Sequence, residues 1–310
     1  MDTTSAFVIR TTVDLLAMVP FVIGFQPTAS VVMLTCAGPT AMHARVDLPA
    51  SPTDDEQVLD QLLSAATCNQ VATAAFVLYT DDVRIAARLT DLIMLRFLLA
   101  GIGVLIVLRV HEDRWFALVD GVAGARVDGV PFDIDHHPLT MRGVLEGRIT
   151  YRSREALAAS LDPDPDGVAA VRAILPDLPV PQRGEGAAHR VRAVVRRHLR
   201  GGRVPDAELV AELATLLAEE ATVERVVHGM RRDAIASARA EFWCGVLRRT
   251  PPELLAPVAA VTAMAAWLAG EGALAWCAVD RADAAGPRHP VAALVAEKLQ
   301  GAVPPRAWGA

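Results

Sequence analysis

The 310-residue chain is poor in aromatic residues and has almost no lysine. Phe, Trp and Tyr make up 5% of it, so a core must be built mainly from Ala, Val and Leu. Small side chains of that kind suit closely approaching helices. Lys298 is the sole lysine beside 29 arginines. Together with the abundance of alanine, that bias points to a GC-rich coding genome, an actinobacterial one, so arginine excess alone is no sign of phosphate recognition. Cysteine is sparse as well. Cys36, Cys68, Cys244 and Cys277 stand far apart in apolar surroundings, with no CxxC spacing and no histidine at ligand spacing. A zinc knuckle and a disulfide framework are therefore excluded, and the expectation is reduced, mostly buried thiols in a cytoplasmic protein.

Other signatures are missing outright. Neither G-x-G-x-x-G nor G-x-x-x-x-G-K-[ST] occurs, which removes the glycine-loop nucleotide sites. There is no G-x-S-x-G elbow, and no cysteine has neighbours that would lower its pKa. The opening Met-Asp-Thr-Thr-Ser lacks the positive region and apolar core of a secretion signal. Phe97–Leu108 is apolar for 12 residues, and Leu254–Gly270 is uncharged for 17 but interrupted by Pro257. Both fall short of the roughly 20 strongly apolar residues of a membrane span and read as buried elements. A net charge of −6 offers no bulk attraction to nucleic acid or an anionic membrane.

What is present is a globular composition, 53% hydrophobic and 21% charged, in two parts. The first, residues 1–150, reads as an α/β domain with a mixed or mainly parallel sheet and covering helices. A helix over Val13–Gly24 is followed by strands at Ser30–Cys36 and Met42–Leu48, joined by a Gly38-Pro39 hairpin. Thr53 and Glu56 have capping-box spacing for a helix running to Cys68. Next come an apolar strand at Thr73–Tyr79, a helix over Val83–Ala100 capped by Asp81 or Asp82, a strand at Val104–Val110 and a paired one at Trp115–Val119.

The second part, residues 151–310, is all α. After Pro138 the period changes to 3.6 and predicts helices at Met141–Glu146, still in the first part, and then at Ser153–Ser160, Asp166–Ile174, Ala187–Arg200, Asp206–Ala221, Val223–Arg248, Pro252–Ala269, Gly272–Ala285 and Pro290–Leu299. The proline-rich stretch 175–186 is the clearest linker and a second place for the domain boundary.

Candidate chemistry is confined to a few places. Asp81 and Asp82 follow an apolar strand and precede a helix, the position where open α/β sheets bind ligands. A helix cap is the simpler reading of them. Ser30 and the Arg114-Trp115 pair are further ligand-contact candidates at that edge. Asp133, Asp135, His136 and His137 form an acid–histidine cluster, read as solvated loop residues because adjacent loop histidines point apart. Arg192, Arg196, Arg197 and Arg200 lie on one basic helical face over 189–203, either a nucleic-acid grip or a face paired with Glu208, Glu212, Glu219 and Glu220. No metal or cofactor is expected.

Asp14-Leu-Leu-Ala-Met-Val-Pro20 continuing into Gly24-Phe25-Gln-Pro27-Thr-Ala-Ser30 resembles the D-L-L-A-x-V-P…G-F-x-P-x-x-S opening of an actinobacterial family, domain of unknown function 4192. Val77–Asp81, Arg114-Trp115, Gly129-Val-Pro131, Ser153–Leu157, Arg249–Ala256 and Ala266–Trp276 fit the same family. The resemblance covers nearly the whole chain and implies no activity. Many members carry cysteines just after the Arg-Trp strand; the equivalent Asp120–Pro131 has none. The leading expectation is a non-catalytic regulatory or interaction protein whose helical half meets a protein partner or another copy of itself. The alternatives are a small-molecule binder or enzyme at the sheet's carboxyl edge, and nucleic-acid binding through the arginine helix.

Overall fold

The computed structural model describes residues 9–37, 42–119, 127–145, 149–179, 183–201 and 204–308. The chain divides into two units, Met1–Arg154 and Glu155–Ala310.

The first unit opens with helix α1 (Thr12–Ile23), whose capping box joins Thr11 and Asp14 and whose end is the left-handed Gly24, φ 88°. Strands β1 (Ser30–Ala37) and β2 (His43–Asp47) follow. Then come helix α2 (Asp55–Cys68), strand β3 (Thr73–Tyr79), helix α3 (Val83–Leu99), strands β4 (Gly103–His111), β5 (Arg114–Ala117) and β6 (Val130–Pro131), and helix α4 (Pro138–Leu145). The six strands form one mixed sheet in the order β2-β1-β3-β4-β5-β6. Only β3 and β4 run parallel; the other neighbouring pairs are antiparallel.

Alternation along the strands separates two faces. Val32, Leu34, Ala75, Val77, Leu108, Val110 and Trp115 pack with Leu15, Leu16 and Val19 of α1. On the other face Phe76 meets Phe97 of α3 edge-on, with ring centroids 4.8 Å apart. The Gly38-Pro39 hairpin and residues 120–126 of the following loop lie outside the described residues.

One cap differs from expectation. Pro52 at the first helical position opens a short 3-10 turn at Pro52–Asp54, so the box forms between Ser51 and Asp54 and α2 starts at Asp55. Proline supplies the preset φ for such a start, which moves the cap two residues ahead of Thr53.

The second unit is helical. It comprises α5 (Arg154–Ala159, straddling the division), α6 (Pro165–Ile174), α7 (Gly184–Gly201), α8 (Ala207–Leu216), α9 (Glu220–His228), α10 (Ala236–Leu247), α11 (Leu255–Ala269), α12 (Gly272–Ala285) and α13 (Pro290–Gln300). Helix α11 is the axis of this unit and packs against α10, α12 and α13. Ala259, Ala260, Ala263, Ala265 and Ala266 on it are buried, and their small size permits the close helix approach that aromatic poverty predicts. By length and composition Pro252–Ala269 passes as a membrane span, but 61% of it is buried inside the protein.

The helix expected over Val223–Arg248 is two helices. Gly229 follows the end of α9, and α10 begins only at Ala236. The helix expected over Asp206–Ala221 stops at Leu216. Glu219 then opens α9, its carboxylate accepting from the Thr222 hydroxyl and the Gly184 amide. The 175–186 stretch lies within the second unit, and of it 180–182 are outside the described residues.

Candidate functional site

Because β3 and β4 are parallel, their carboxyl ends open on one edge of the first unit's sheet. Antiparallel β1 brings its amino end to the same edge, with Ser30 opposite both Tyr79 and Asp47. Arg114 joins through its pairing with His111. The fold thus gathers Ser30, Asp81, Asp82 and Arg114 along one margin, yet most of them are already engaged.

Ser30 is fully buried; its hydroxyl donates to the Thr28 carbonyl at 2.5 Å and accepts from Arg45 Nε at 2.8 Å. Arg45 closes the same corner through Asp47 at 2.7 Å. Asp82 is the cap of α3, accepting from the Arg84 and Ile85 amides. Those amide contacts hold its carboxyl below the usual carboxylate range. Arg114 donates to the Asp128 and Gly129 carbonyls, both at 2.9 Å, and so ties down the loop before β6. Trp115 lies in the core packed by α1, 4% exposed, and is removed from any ligand position. Asp81 alone among these candidates is both exposed and without an ion pair among the described residues.

The sequence reading passed over a fifth group at this edge. Arg109 on β4 is 6% exposed. Its guanidinium lies 3.8 Å from the centre of the Phe116 ring, and one of its nitrogens donates to the Thr80 carbonyl at 3.3 Å. Burial lowers its pKa, and the neighbouring Asp81 charge opposes that shift. No carboxylate reaches ion-pair distance of it among the described residues. The available signal was a lone arginine inside the apolar strand GVLIVLRVH.

The acid–histidine cluster divides. His136 is exposed beside Asp133, as expected of a loop. His137 is not solvated: its side chain is 13% exposed and its Nε2 sits 3.0 Å from Asp14 of the α1 capping box. Its Nδ1 accepts from the Leu139 amide at the start of α4. Accepting at Nδ1 places the proton on Nε2, toward the Asp14 carboxylate. The pair fastens two helix starts together, and no group of three metal-ligating side chains occurs among the described residues.

On α7, Arg190 pairs with Glu212 and Arg192 with Glu185, each at 2.6 Å. Arg196, Arg197 and Arg200 are exposed without ion pairs among the described residues, and Arg203 lies outside them. A cleft of about 470 Å³ beside this helix is lined by Glu185, Arg192, Glu224, Arg225 and His228. Its charges largely answer one another, since Glu185 lies 2.6 Å from Arg192 and 3.8 Å from Arg225. Of the cysteines, Cys277 is buried, whereas Cys68 at the end of α2 is exposed, contrary to the expectation of mostly buried thiols. Burial pushes the Cys244 thiol up to about 12, which makes it inert at neutral pH.

Large apolar side chains reach solvent mainly in the first unit. On the last two turns of α3, Leu95, Leu98 and Leu99 are 53%, 74% and 76% exposed. Leu105, left over where β4 slips register against β3, is 59% exposed. In the second unit only Val204 and Ile235 are comparable among the described residues.

Residues 13–306 match the family model described as Domain of unknown function (DUF4192), and the chain belongs to that family. No curated protein and no solved structure matches it.

Proposed function

We propose that this member of the family acts through protein–protein contact, by pairing with a second copy of itself across the outer face of α3. The observation that carries the reading is the exposed run Met94, Leu95, Leu98 and Leu99 on two consecutive turns. Helical spacing puts 94, 95, 98 and 99 on one side. Arg96, the one charge within this stretch, turns away to Glu56 and Asp60 of α2. Asp91, one turn before Met94, is exposed on the same side and borders the strip at its start. A second copy offers the same apolar strip, as a two-fold contact requires, and in an antiparallel approach the two Asp91 side chains lie at opposite ends of it. The proposed contact is on the α/β unit, whereas the sequence favoured the helical half.

Sedimentation velocity or light scattering across a concentration series tests it. The wild type is expected to reach twice the monomer mass, and the Leu95→Glu/Leu98→Glu double variant to remain a monomer. Both positions are exposed, so the double variant keeps its fold. A wild type that stays monomeric at all concentrations, or a double variant that still pairs, overturns the reading. Co-flotation with lipid vesicles in place of pairing would assign the same face to a membrane and overturn it equally.

A further inference from the structure

The exposed side of α7 has no account in the fold or in the α3 contact. At about 100° per residue, Ala187, Ala188, Val191 and Val195 form the buried stripe of this helix. The opposite side carries His189, Ala193, Arg196 and Arg200, flanked by Arg190 and Arg197, all of them exposed. Between His189 and Arg200 that side has no acidic and no large apolar side chain. The carboxylates nearby are used elsewhere. Glu212 takes Arg190, Glu185 at the margin takes Arg192, and Glu219 accepts from the Gly184 amide and the Thr222 hydroxyl. Arg196, Arg197 and Arg200 are left without ion pairs among the described residues.

The helix itself explains only part of this. Arg200 lies in the last turn, where the terminal carbonyls favour a cation. Arg196 and Arg197 stand before that turn. Arg196 and Arg200 are four residues apart, a spacing at which like charges on a helix repel and destabilise it. A bound polyanion reverses that repulsion.

What the face lacks selects the partner. A protein interface is anchored by aromatic or large apolar side chains at its centre, and the centre here is Ala193. A membrane-surface helix inserts an apolar side, and the apolar stripe of α7 is buried within its unit. Single strands are held by stacking on aromatic rings, and this side has no such ring. Contact with the phosphates of a duplex needs none of these, only cations along one line. His189 to Arg200 spans about 16 Å of helix axis, roughly five base-pair steps of a duplex. The small Ala193 lets the arginines on both sides of it reach one backbone. We infer that this face of α7 binds double-stranded DNA, with Arg196, Arg197 and Arg200 neutralising about three phosphates and reading no sequence. The chain as a whole carries a net charge of −6, so the attraction is local, weak and salt-dependent.

Anisotropy of a fluorescent mixed-sequence DNA duplex, titrated with the purified full-length protein across a salt series, tests this. Binding is expected at about 50 mM salt and is expected to weaken about 40-fold by about 200 mM, a slope of about −2.7 in log K against log salt. Each of Arg196→Ala, Arg197→Ala and Arg200→Ala is expected to reduce that slope by about 0.9, and the triple variant to abolish binding. Alanine at these exposed helical positions keeps the fold. Arg84→Ala removes an exposed arginine of the first unit and is expected to change nothing. The proposal is overturned if the wild type fails to bind the duplex at about 50 mM salt, or if the triple variant binds as well as the wild type. A loss with Arg84→Ala equal to that of the triple variant overturns it too. Tighter binding to phosphatidylserine vesicles or to poly-L-glutamate would assign the face to a membrane or an acidic protein and overturn it equally. The α3 contact is read by mass and rests on other residues, so either proposal can fail alone.

Discussion

Arg109 of the first unit and Arg239 of the second are both buried arginines, 6% and 8% exposed, in opposite surroundings. Arg239 is forked onto both oxygens of Asp233, at 3.0 and 2.8 Å, and also donates to the Arg231 carbonyl at 2.8 Å. Arg109 has an aromatic ring and one carbonyl. The contrast extends beyond these residues. In the second unit Arg249 is held by Asp164 and the Pro205 carbonyl, Arg172 by Glu253 and Arg281 by the Leu161 carbonyl. The first unit keeps a buried cation without an ion pair and a strip of exposed leucines among the described residues. The second unit is not answered throughout, since Arg281 Nε is buried without a hydrogen-bond partner and Arg196, Arg197 and Arg200 are exposed without ion pairs among the described residues.

The largest effect that sharpens this comparison concerns the two cores. Phe76 is fully buried in the sheet and packs on Phe97, so Phe76→Ala is expected to cost about 3–5 kcal/mol by opening a cavity. The alanine core around α11 has the reverse weakness. Ala263 is fully buried, and Ala263→Leu is expected to cost about 1–3 kcal/mol by overpacking. Urea midpoints at constant m-value measure both. If Ala263→Leu is tolerated without loss, the close-packed account of the second unit is wrong.

Acid sensitivity comes next. Burial holds His43 of β2 down to about 4 from 6.5, and its Nδ1 has no hydrogen-bond partner among the described residues. The folded form keeps this ring neutral while the unfolded chain takes up a proton below pH 6.5. Its contribution is therefore complete above about pH 6.5 and is lost as pH falls toward about 4, on the order of 2 kcal/mol. His43→Leu removes the titration without removing a hydrogen bond, so its stability is expected to be flatter over that window than the wild type's. In the second unit His289 is lowered in the same direction by burial, but Glu220 and Glu224 oppose it. His289→Leu should flatten the curve less; an equal effect would erase this difference between the units.

How much of this was legible in the sequence follows from range. The helix starts at Asp82, Asp164 and Asp206 depend on neighbours two or three residues away, and such signals are local. The strands and their burial were legible from apolar runs. The breaks after Leu216 and His228 were not, because both lie in apolar-periodic sequence and the second is set by Gly229 with no proline to mark it. At the sheet edge the sequence grouped Ser30, Asp81, Asp82, Arg114 and Trp115, but it could not show that Trp115 lies in the core or that Ser30, Asp82 and Arg114 are engaged by Arg45, backbone amides and loop carbonyls. The role of His137 depended on Asp14, far away in sequence. Arg109 was hidden because a strand that is apolar on both sides discloses burial but not what a single charge within it will meet.

The smallest expected effect is the most discriminating. Asp233→Ala strips a buried guanidinium of its carboxylate and is expected to destabilise the protein by about 1–3 kcal/mol, below the full value for a buried pair because Asp233 is itself 43% exposed. Arg109→Met removes a charge that lacks a carboxylate. The methionine stem can follow the arginine's path and set its sulfur against Phe116, a favourable contact. Its loss of the Thr80 hydrogen bond is offset by relief of an unpaired buried charge, so the net change is expected within about 1 kcal/mol of zero and can be stabilising. Denaturant midpoints of the two variants, measured side by side, decide whether the arginines differ in kind. Equal losses would make Arg109 a structural arginine like Arg239. A stable Arg109→Met protein would mean that the fold keeps this charge for something other than stability.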